Sequence, residues 1–279
     1  MLSNRIGLYI DFDNCYASML DMIEDLYYEK NLDTVNDQKK VHDRIKKELD
    51  KTIRNLINKI EEHFDISNQS EQKNNIVYAK AFSDFNRLPY SESINIIDIL
   101  HKNGIKTFYP YIRKNKDMSD RALIINIIED IFFKQKQSNN IDTLILLTGD
   151  IDYLPLLDFF IEYSKTNFYL LSFKNRYSPA YDDIFYMKNK IIFIDDLFDV
   201  DTTKIEDEKK YKIFSEEIFK CENKTSKWLS DKHFKKTISD INNKCYFRLE
   251  EDRAKRFITR LLNENKITNE DIYLSFRKN

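Results

Sequence analysis

Two short apolar runs in this chain end abruptly in paired carboxylates, and few folds can accommodate that. Gly7-Leu8-Tyr9-Ile10 leads directly into Asp11-Phe12-Asp13-Asn14, and Leu146-Leu147 leads into Thr148-Gly149-Asp150-Ile151-Asp152-Tyr153. Apolar residues at nearly every position, without polar alternation, mark a strand buried on both faces, as in a parallel sheet covered by helices. Acids that follow such a strand immediately are pinned at the rim of the sheet and not carried out on a long loop.

The rest of the first 200 residues supports that architecture. Strands are expected at 5–10, 76–82, 105–109, 142–147, 167–172 and 191–194. Helices are expected at 14–28, 41–64, 88–103, 119–133, 153–163 and 178–187, with Gly104 just past the end of the third. In the second helix Ile45, Leu49, Ile53, Leu56, Ile60 and Phe64 recur at helical spacing among charges, so one side packs on the body. Residues 67–75 read as a loop. Strands alternating with helices imply βαβ crossovers and a mostly parallel sheet. Residues 201–210 read as a charged linker. Helical stretches at 211–221, 231–241 and 251–265 and an extended end at 272–276 then suit a small, mainly helical module, either winged-helix-like or a generic three-helix bundle. The expected division is 1–200, with 29–74 as a helical insertion, and 201–279.

The net charge of −2 hides an asymmetry: residues 201–279 carry 19 Lys and Arg against 15 Asp and Glu, whereas 1–200 carry 26 against 32. An acidic half with a mildly basic tail suits a metal site beside a module that holds nucleic acid. No apolar run approaches the roughly 20 residues that span a bilayer, and the start lacks the charge and apolar pattern of a signal peptide. Cys15, Cys221 and Cys245 are odd in number and widely spaced, which argues for reduced thiols in a cytosol and against a zinc site.

In open α/β sheets, ligands bind beyond the carboxyl ends of the strands. Asp11 and Asp13 belong to one such end, Asp150 and Asp152 to another. Asp120, in Met118-Ser119-Asp120-Arg121, opens a helix whose first N–H groups and dipole tolerate an anion. Carboxylates gather poorly unless a cation lies between them, and the hard cations Mg²⁺ and Mn²⁺ prefer oxygen ligands. Gly149, between strand and acids, suggests a backbone that a Cβ would strain. Ser119 is the expected helix cap. Arg113, Lys114, Lys116 and Arg121 form a basic run able to steer a phosphate backbone; Lys80, Arg87, Lys174 and Arg176 follow or close strands in similar positions. Phe85, Tyr109 and Tyr111 are candidates for base stacking. The four histidines are scattered, and the glycine-rich nucleotide loops are absent.

The ordered set Ile10-Asp11-Phe12-Asp13-Asn14, Asp120 at a helix start, and Thr148-Gly149-Asp150-Ile151-Asp152-Tyr153 with Pro155-Leu156 resembles the NYN domain family of the PIN-like nuclease superfamily. The segment 178–182, with Phe185 and 191–195, resembles that family's closing stretch, so the likeness covers about 5–196. It implies a PIN-like three-layer α/β/α sandwich, Mg²⁺ or Mn²⁺ dependence and endoribonuclease hydrolysis of RNA, single-stranded by preference. By motif, Asp11, Asp120, Asp150 and Asp152 would be the catalytic metal-binding acids, supported by Asp13, Asn14 and Thr148. Two positions depart from the family's pattern: Asn126 stands where a second helix acid is frequent, and Thr148 replaces a usual Ser. Two rivals have different chemistry. A haloacid-dehalogenase-like phosphatase would use Asp11 and Asp13 as nucleophile and acid but has no role for Asp120. A catalytically weak PIN-like module would only bind RNA or protein, a reading that Asn126 motivates. The C-terminal module could mediate a homo-oligomer or contact a protein partner.

Overall fold

The computed structural model describes residues 5–23, 35–67, 75–109, 118–133, 141–220, 231–244 and 249–267. Six strands form one all-parallel sheet: β1 (Arg5–Asp11), β2 (Asn75–Phe82), β3 (Lys106–Phe108), β4 (Thr143–Leu147), β5 (Asn167–Ser172) and β6 (Ile191–Phe193). Their order is β3-β2-β1-β4-β5-β6. The chain therefore builds outwards from β1 in one direction and, from β4 onwards, in the other. The two apolar runs identified in the sequence are the central neighbours, in register from Ile6 opposite Thr143 to Ile10 opposite Leu147.

Both faces of the sheet are covered, as continuous apolar strands require. On one face Ile6, Leu8 and Ile10 of β1 and Ile145 and Leu147 of β4 join a core with α1 (Phe12–Met22), α2 (Val35–Ser67) and α3 (Ile96–Lys102). On the other, Tyr9, Leu144 and Leu146 pack with α4 (Ser119–Ile128) and α5 (Leu154–Tyr163). The result is the expected three-layer sandwich. The α2 stripe from Ile45 to Phe64 is buried, each side chain contributing about 1.5–3 kcal/mol. That holds a highly charged helix on the sheet.

Several expectations are corrected. The helix foreseen over 88–103 is confined to Ile96–Lys102, because Asn95 caps it by accepting from the Asp98 N–H at 3.2 Å, while Tyr90, with φ of 63°, turns the chain before it. Gly104 takes its foreseen left-handed place at φ 75°. The helix over 119–133 is α-helical only to Ile128 and continues as a π-helical turn, Glu129–Phe133. The span 178–187 holds two short 3-10 turns, Pro179–Tyr181 and Phe185–Met187, instead of one helix. After β6 comes α6 (Ile194–Phe198).

The presumed linker at 201–210 is helical. It opens α7 (Thr202–Lys220), where the Thr202 N–H and hydroxyl both donate to Asp195 Oδ1 at 2.6 Å. Its charges are paired, which the sequence pattern could not show: Lys210 with Glu206 one turn away, Arg253 Nε with Asp207 at 2.6 Å, and Arg260 in two bonds to Glu208 at 2.7 and 2.9 Å. The chain divides near Thr203 into two compact units. In the second, α7, α8 (Asp231–Lys244) and α9 (Glu251–Asn263) enclose Phe214, Ile218, Phe234, Ile241, Phe257 and Leu261. The extended end foreseen at 272–276 lies outside the described residues. Among the described residues, no helix is long and apolar enough to cross a membrane.

One polar group sits deep in the first unit. Lys80 of β2 pairs with Asp130 of the π-helical turn, which also accepts from the Tyr9 hydroxyl at 2.7 Å; all three are buried. Lys80 also reaches Asn126 Oδ1 at 3.4 Å. Lys80 is thus tied inside the protein, contrary to a role at the rim. Removing one partner of such a pair strands the other charge. Lys80→Ala is expected to lower unfolding free energy in urea by about 3–5 kcal/mol; a loss below about 1 kcal/mol would contradict this assignment of the pair.

Candidate functional site

Beyond Ile10 and Leu147 the two central strands stop side by side, and the carboxylates follow. Asp11 ends β1 and caps α1, with Oδ1 accepting from the Asn14 N–H at 3.3 Å. Its Oδ2 accepts from the buried Thr148 hydroxyl at the end of β4, at 2.9 Å. Asn14 reaches across the same gap, Oδ1 accepting from Gly149 N–H at 3.0 Å. The sequence Asp11-Phe12-Asp13-Asn14 is therefore a double cross-brace between β1 and β4: one residue through its acid, one through its amide.

Asp13 joins two more elements. Its Oδ1 accepts from Ser83 Oγ, just past β2, at 2.7 Å, and its Oδ2 from Ser119 Oγ, at the start of α4, at 3.4 Å. Ser119 is thus not the cap; Met118 holds that position without a side-chain bond, and the serine hydroxyl turns to Asp13. Asp120 is exposed beside it and accepts from the Tyr153 hydroxyl at 3.1 Å. Asp150, partly exposed, caps the 3-10 turn Ile151–Tyr153 by accepting from Asp152 N–H at 3.0 Å; its own N–H donates to Thr148 Oγ1 at 3.2 Å. The buried Tyr181 hydroxyl donates to the Asp150 carbonyl at 2.5 Å.

Electrostatics show which acids share a neighbourhood. Asp11 is 4% exposed, and its carboxyl is raised to about 7. Burial is the main cause; Asp120 and Asp13 push it further, against the Thr148 and Asn14 bonds, and no cation is among the groups acting on it. Burial first, and then the charges of Asp11, Asp120 and Asp150, push the Tyr153 phenol far above its ordinary value. It is consequently a donor at all physiological pH. Asp11, Asp120 and Asp150 thus share the neighbourhood of Tyr153, with Asp13 acting on Asp11 from beside them. Asp152 is exposed; burial, then Asp150 and the neighbouring tyrosines, and last Asp152 push the Tyr181 phenol up.

A buried carboxylate without a cation, amid other acids and hydroxyls, fits a divalent ion by donor chemistry: all are hard oxygen groups. As the side chains stand, no three His, Cys, Asp or Glu residues among those described are arranged to hold one.

Gly149 is needed for space and not for backbone freedom. A Cβ there would stand 2.1 Å from the Arg176 carbonyl oxygen and 2.9 Å from Ser172 Oγ. The loop after β5 lies directly on it, with Ser178 N–H donating to Gly149 O at 3.0 Å. Arg121 is exposed on the first turn of α4, and Arg113, Lys114 and Lys116 lie outside the described residues, as does Tyr111. Phe85 is buried against Phe12 and is core; Tyr109, half exposed, packs edge-on to it. Asn126 faces Lys80 and the Ala122 carbonyl. Ser83, Tyr153 and Tyr181 had no assigned role in the sequence reading. Tyr153 at least stood within the quoted motif, whereas a serine after a strand carries no distinguishing signal.

Against known families, the model described as the NYN domain matches residues 5–183. No curated protein matches the chain. Among solved structures, a protein of unknown function from Vibrio parahaemolyticus RIMD 2210633 is 17% identical at a TM-score of 0.41, covering 70% of this chain and 95% of that one.

Two outcomes follow from this geometry. Gly149→Ala is expected to destabilise the protein by about 2–3 kcal/mol, since backbone must move to admit the methyl group; an unchanged urea midpoint would refute the close approach. For Asp11 the folded form holds its proton up to about pH 7 and the unfolded form releases it near 4. Between those values the folded state binds more protons, so its stability falls as pH rises through the window and then levels off. Asp11→Asn removes that fall. With EDTA present, the variant should gain on wild type from pH 5 to 7, reaching on the order of 3 kcal/mol; a pH-independent difference would contradict the burial effect.

Proposed function

Because the chain belongs to the NYN domain family of the PIN-like nucleases, we propose that it is a divalent-metal-dependent endoribonuclease that hydrolyses phosphodiester bonds of single-stranded RNA at this acidic rim. The observation that carries the proposal is the gathering of Asp11, Asp120 and Asp150 near Thr148 and Tyr153, beyond the ends of β1 and β4, with Asp13 beside Asp11.

Asp11, Asp120 and Asp150, with Asp152, are the residues that would hold Mg²⁺ or Mn²⁺. Bound there, such an ion supplies a hydroxide-like water near neutral pH and neutralises charge on the phosphodiester and its leaving oxygen. The chain's own groups prepare the place. Thr148 fixes one oxygen of Asp11 and Asn14 N–H the other, so this carboxylate cannot rotate freely. Tyr153 holds Asp120 from below as an obligatory donor. Asp13 ties the ends of β1 and β2 to the start of α4 through Ser83 and Ser119, which makes it a brace between elements. Arg121, exposed beside Asp120, and the basic run before it are suited to draw the RNA backbone in.

The test is labelled single-stranded RNA incubated with Mn²⁺, Mg²⁺ or EDTA. Cleavage is expected only for wild type with a divalent ion; Asp11→Asn and Asp150→Asn should lose at least about 100-fold in rate, as expected for removal of groups that stabilise transition-state charge. Full activity in both variants, or in EDTA, would overturn the proposal. So would phosphate release from a small monoester with the RNA left intact, which would favour the phosphatase reading.

A further inference from the structure

The basic side chains near the rim differ in what they face. Lys80 is buried against Asp130, Arg87 binds Asp84 at 3.0 Å, and Lys174 binds Asp196 at 2.6 Å. Arg121 is exposed on its helix. Arg176 is unlike all of them: half-buried, and without an acidic partner among the described residues.

Its position is nonetheless built. The main chain at Arg176 presses on Gly149, and its N–H donates to Phe173 O at 3.0 Å. Nε donates to Ser18 Oγ at 3.4 Å. Ser18 is completely buried, and its own proton is committed: Oγ donates to Asn175 Oδ1 at 2.7 Å, and Asn175 Nδ2 donates to Asp21 Oδ2 at 3.3 Å. The serine therefore offers Arg176 a lone pair and nothing else. The guanidinium is thus held at the edge of α1, with most of its five N–H donors left over. The residue also lies close to the acids. Its carbonyl rests on Gly149, which precedes Asp150, and its side chain is tied to Ser18 of α1, the helix that Asp11 caps.

A half-buried, positioned guanidinium with spare donors can take an anion, and none is paired with it among the described residues. Its planar fork matches two oxygens of one phosphate, which a lysine cannot do. We propose that Arg176 is a phosphate-contacting residue of this site, gripping the RNA backbone beside the carboxylate cluster from the α1 side. The proposal rests on the ribonuclease reading and assigns it a substrate contact made before chemistry begins.

The test separates binding from cleavage. Affinity for a labelled single-stranded oligoribonucleotide is measured by anisotropy in Ca²⁺ over a range of salt, and cleavage in Mn²⁺. Arg176→Gln keeps an N–H for Ser18 while losing the charge. Its Kd should rise about tenfold at near-physiological salt, and the slope of log Kd against log salt should fall by about 0.7, one phosphate contact on a single strand. In cleavage, KM should rise far more than kcat falls. Arg176→Lys should lie between, and Lys174→Ala, whose ion pair is with Asp196, should match wild type. A Kd and salt slope for Arg176→Gln equal to wild type would overturn the proposal, as would an affinity loss that tracks a lowered Tm and appears equally in Lys174→Ala. Wild type that binds RNA through Arg176 but cleaves nothing would sink the ribonuclease reading alone. Wild type that cleaves with Arg176→Gln indistinguishable would sink only the phosphate contact, and failure to bind RNA would sink both.

Discussion

Everything at the rim depends on β1 and β4 lying side by side where the sheet's winding reverses. The register that sets Ile10 opposite Leu147 ends both strands at the same height. From there β1 leads into a helix on one face of the sheet, while β4 leads into a 3-10 turn and then α5 on the other. A cleft must open between their ends, because neither continuation can fill it; this is why parallel sheets bind ligands at such points. A shift of one residue in that pairing would turn every side chain of β1 to the opposite face and carry Asp11 away from Thr148.

The cross-braces explain how a carboxylate can be kept in a place that does not suit it. Asp11 sits out of water beside other acids, a destabilising arrangement offset only in part by hydrogen bonds from Thr148 and Asn14. The apolar cores above and below the sheet supply the stability that this arrangement consumes. A buried carboxyl perturbed in this way is found most often at functional sites.

Charge is handled differently elsewhere. In the second compact unit acids and bases meet in close pairs, as Arg260 does with Glu208 and Arg253 with Asp207. Beneath the sheet Lys80 and Asp130 satisfy one another with Tyr9. Against that background of paired charge, Asp11 without a cation and Arg176 without an acid, among the described residues, stand out as two unmet demands of opposite sign. A metal ion and a phosphate would meet them together.

Much of the fold was legible in the residues. Unbroken apolar runs mark β1 and β4 as two-sided strands, the spacing of Ile45 to Phe64 marks α2, and Gly104 marks a helix end, because burial and backbone sterics act locally and leave a periodic trace. Asp11, Asp13, Asp150 and Asp152 were legible as rim residues for the same reason, since they follow those runs, whereas Asp120 was read from its helix start. What the sequence could not disclose was pairing across space. Ser119 reads as a cap and instead holds Asp13; Lys80 reads as a rim cation and lies buried; residues 201–210 read as a linker because their charges look solvated until Arg253 and Arg260 are brought to them. Gly149 reads as a conformational need and is a need for room, visible only once the Arg176 carbonyl rests on it. Local period is written along the chain, whereas the partner that makes a charge or a hydroxyl stable is chosen by tertiary contact.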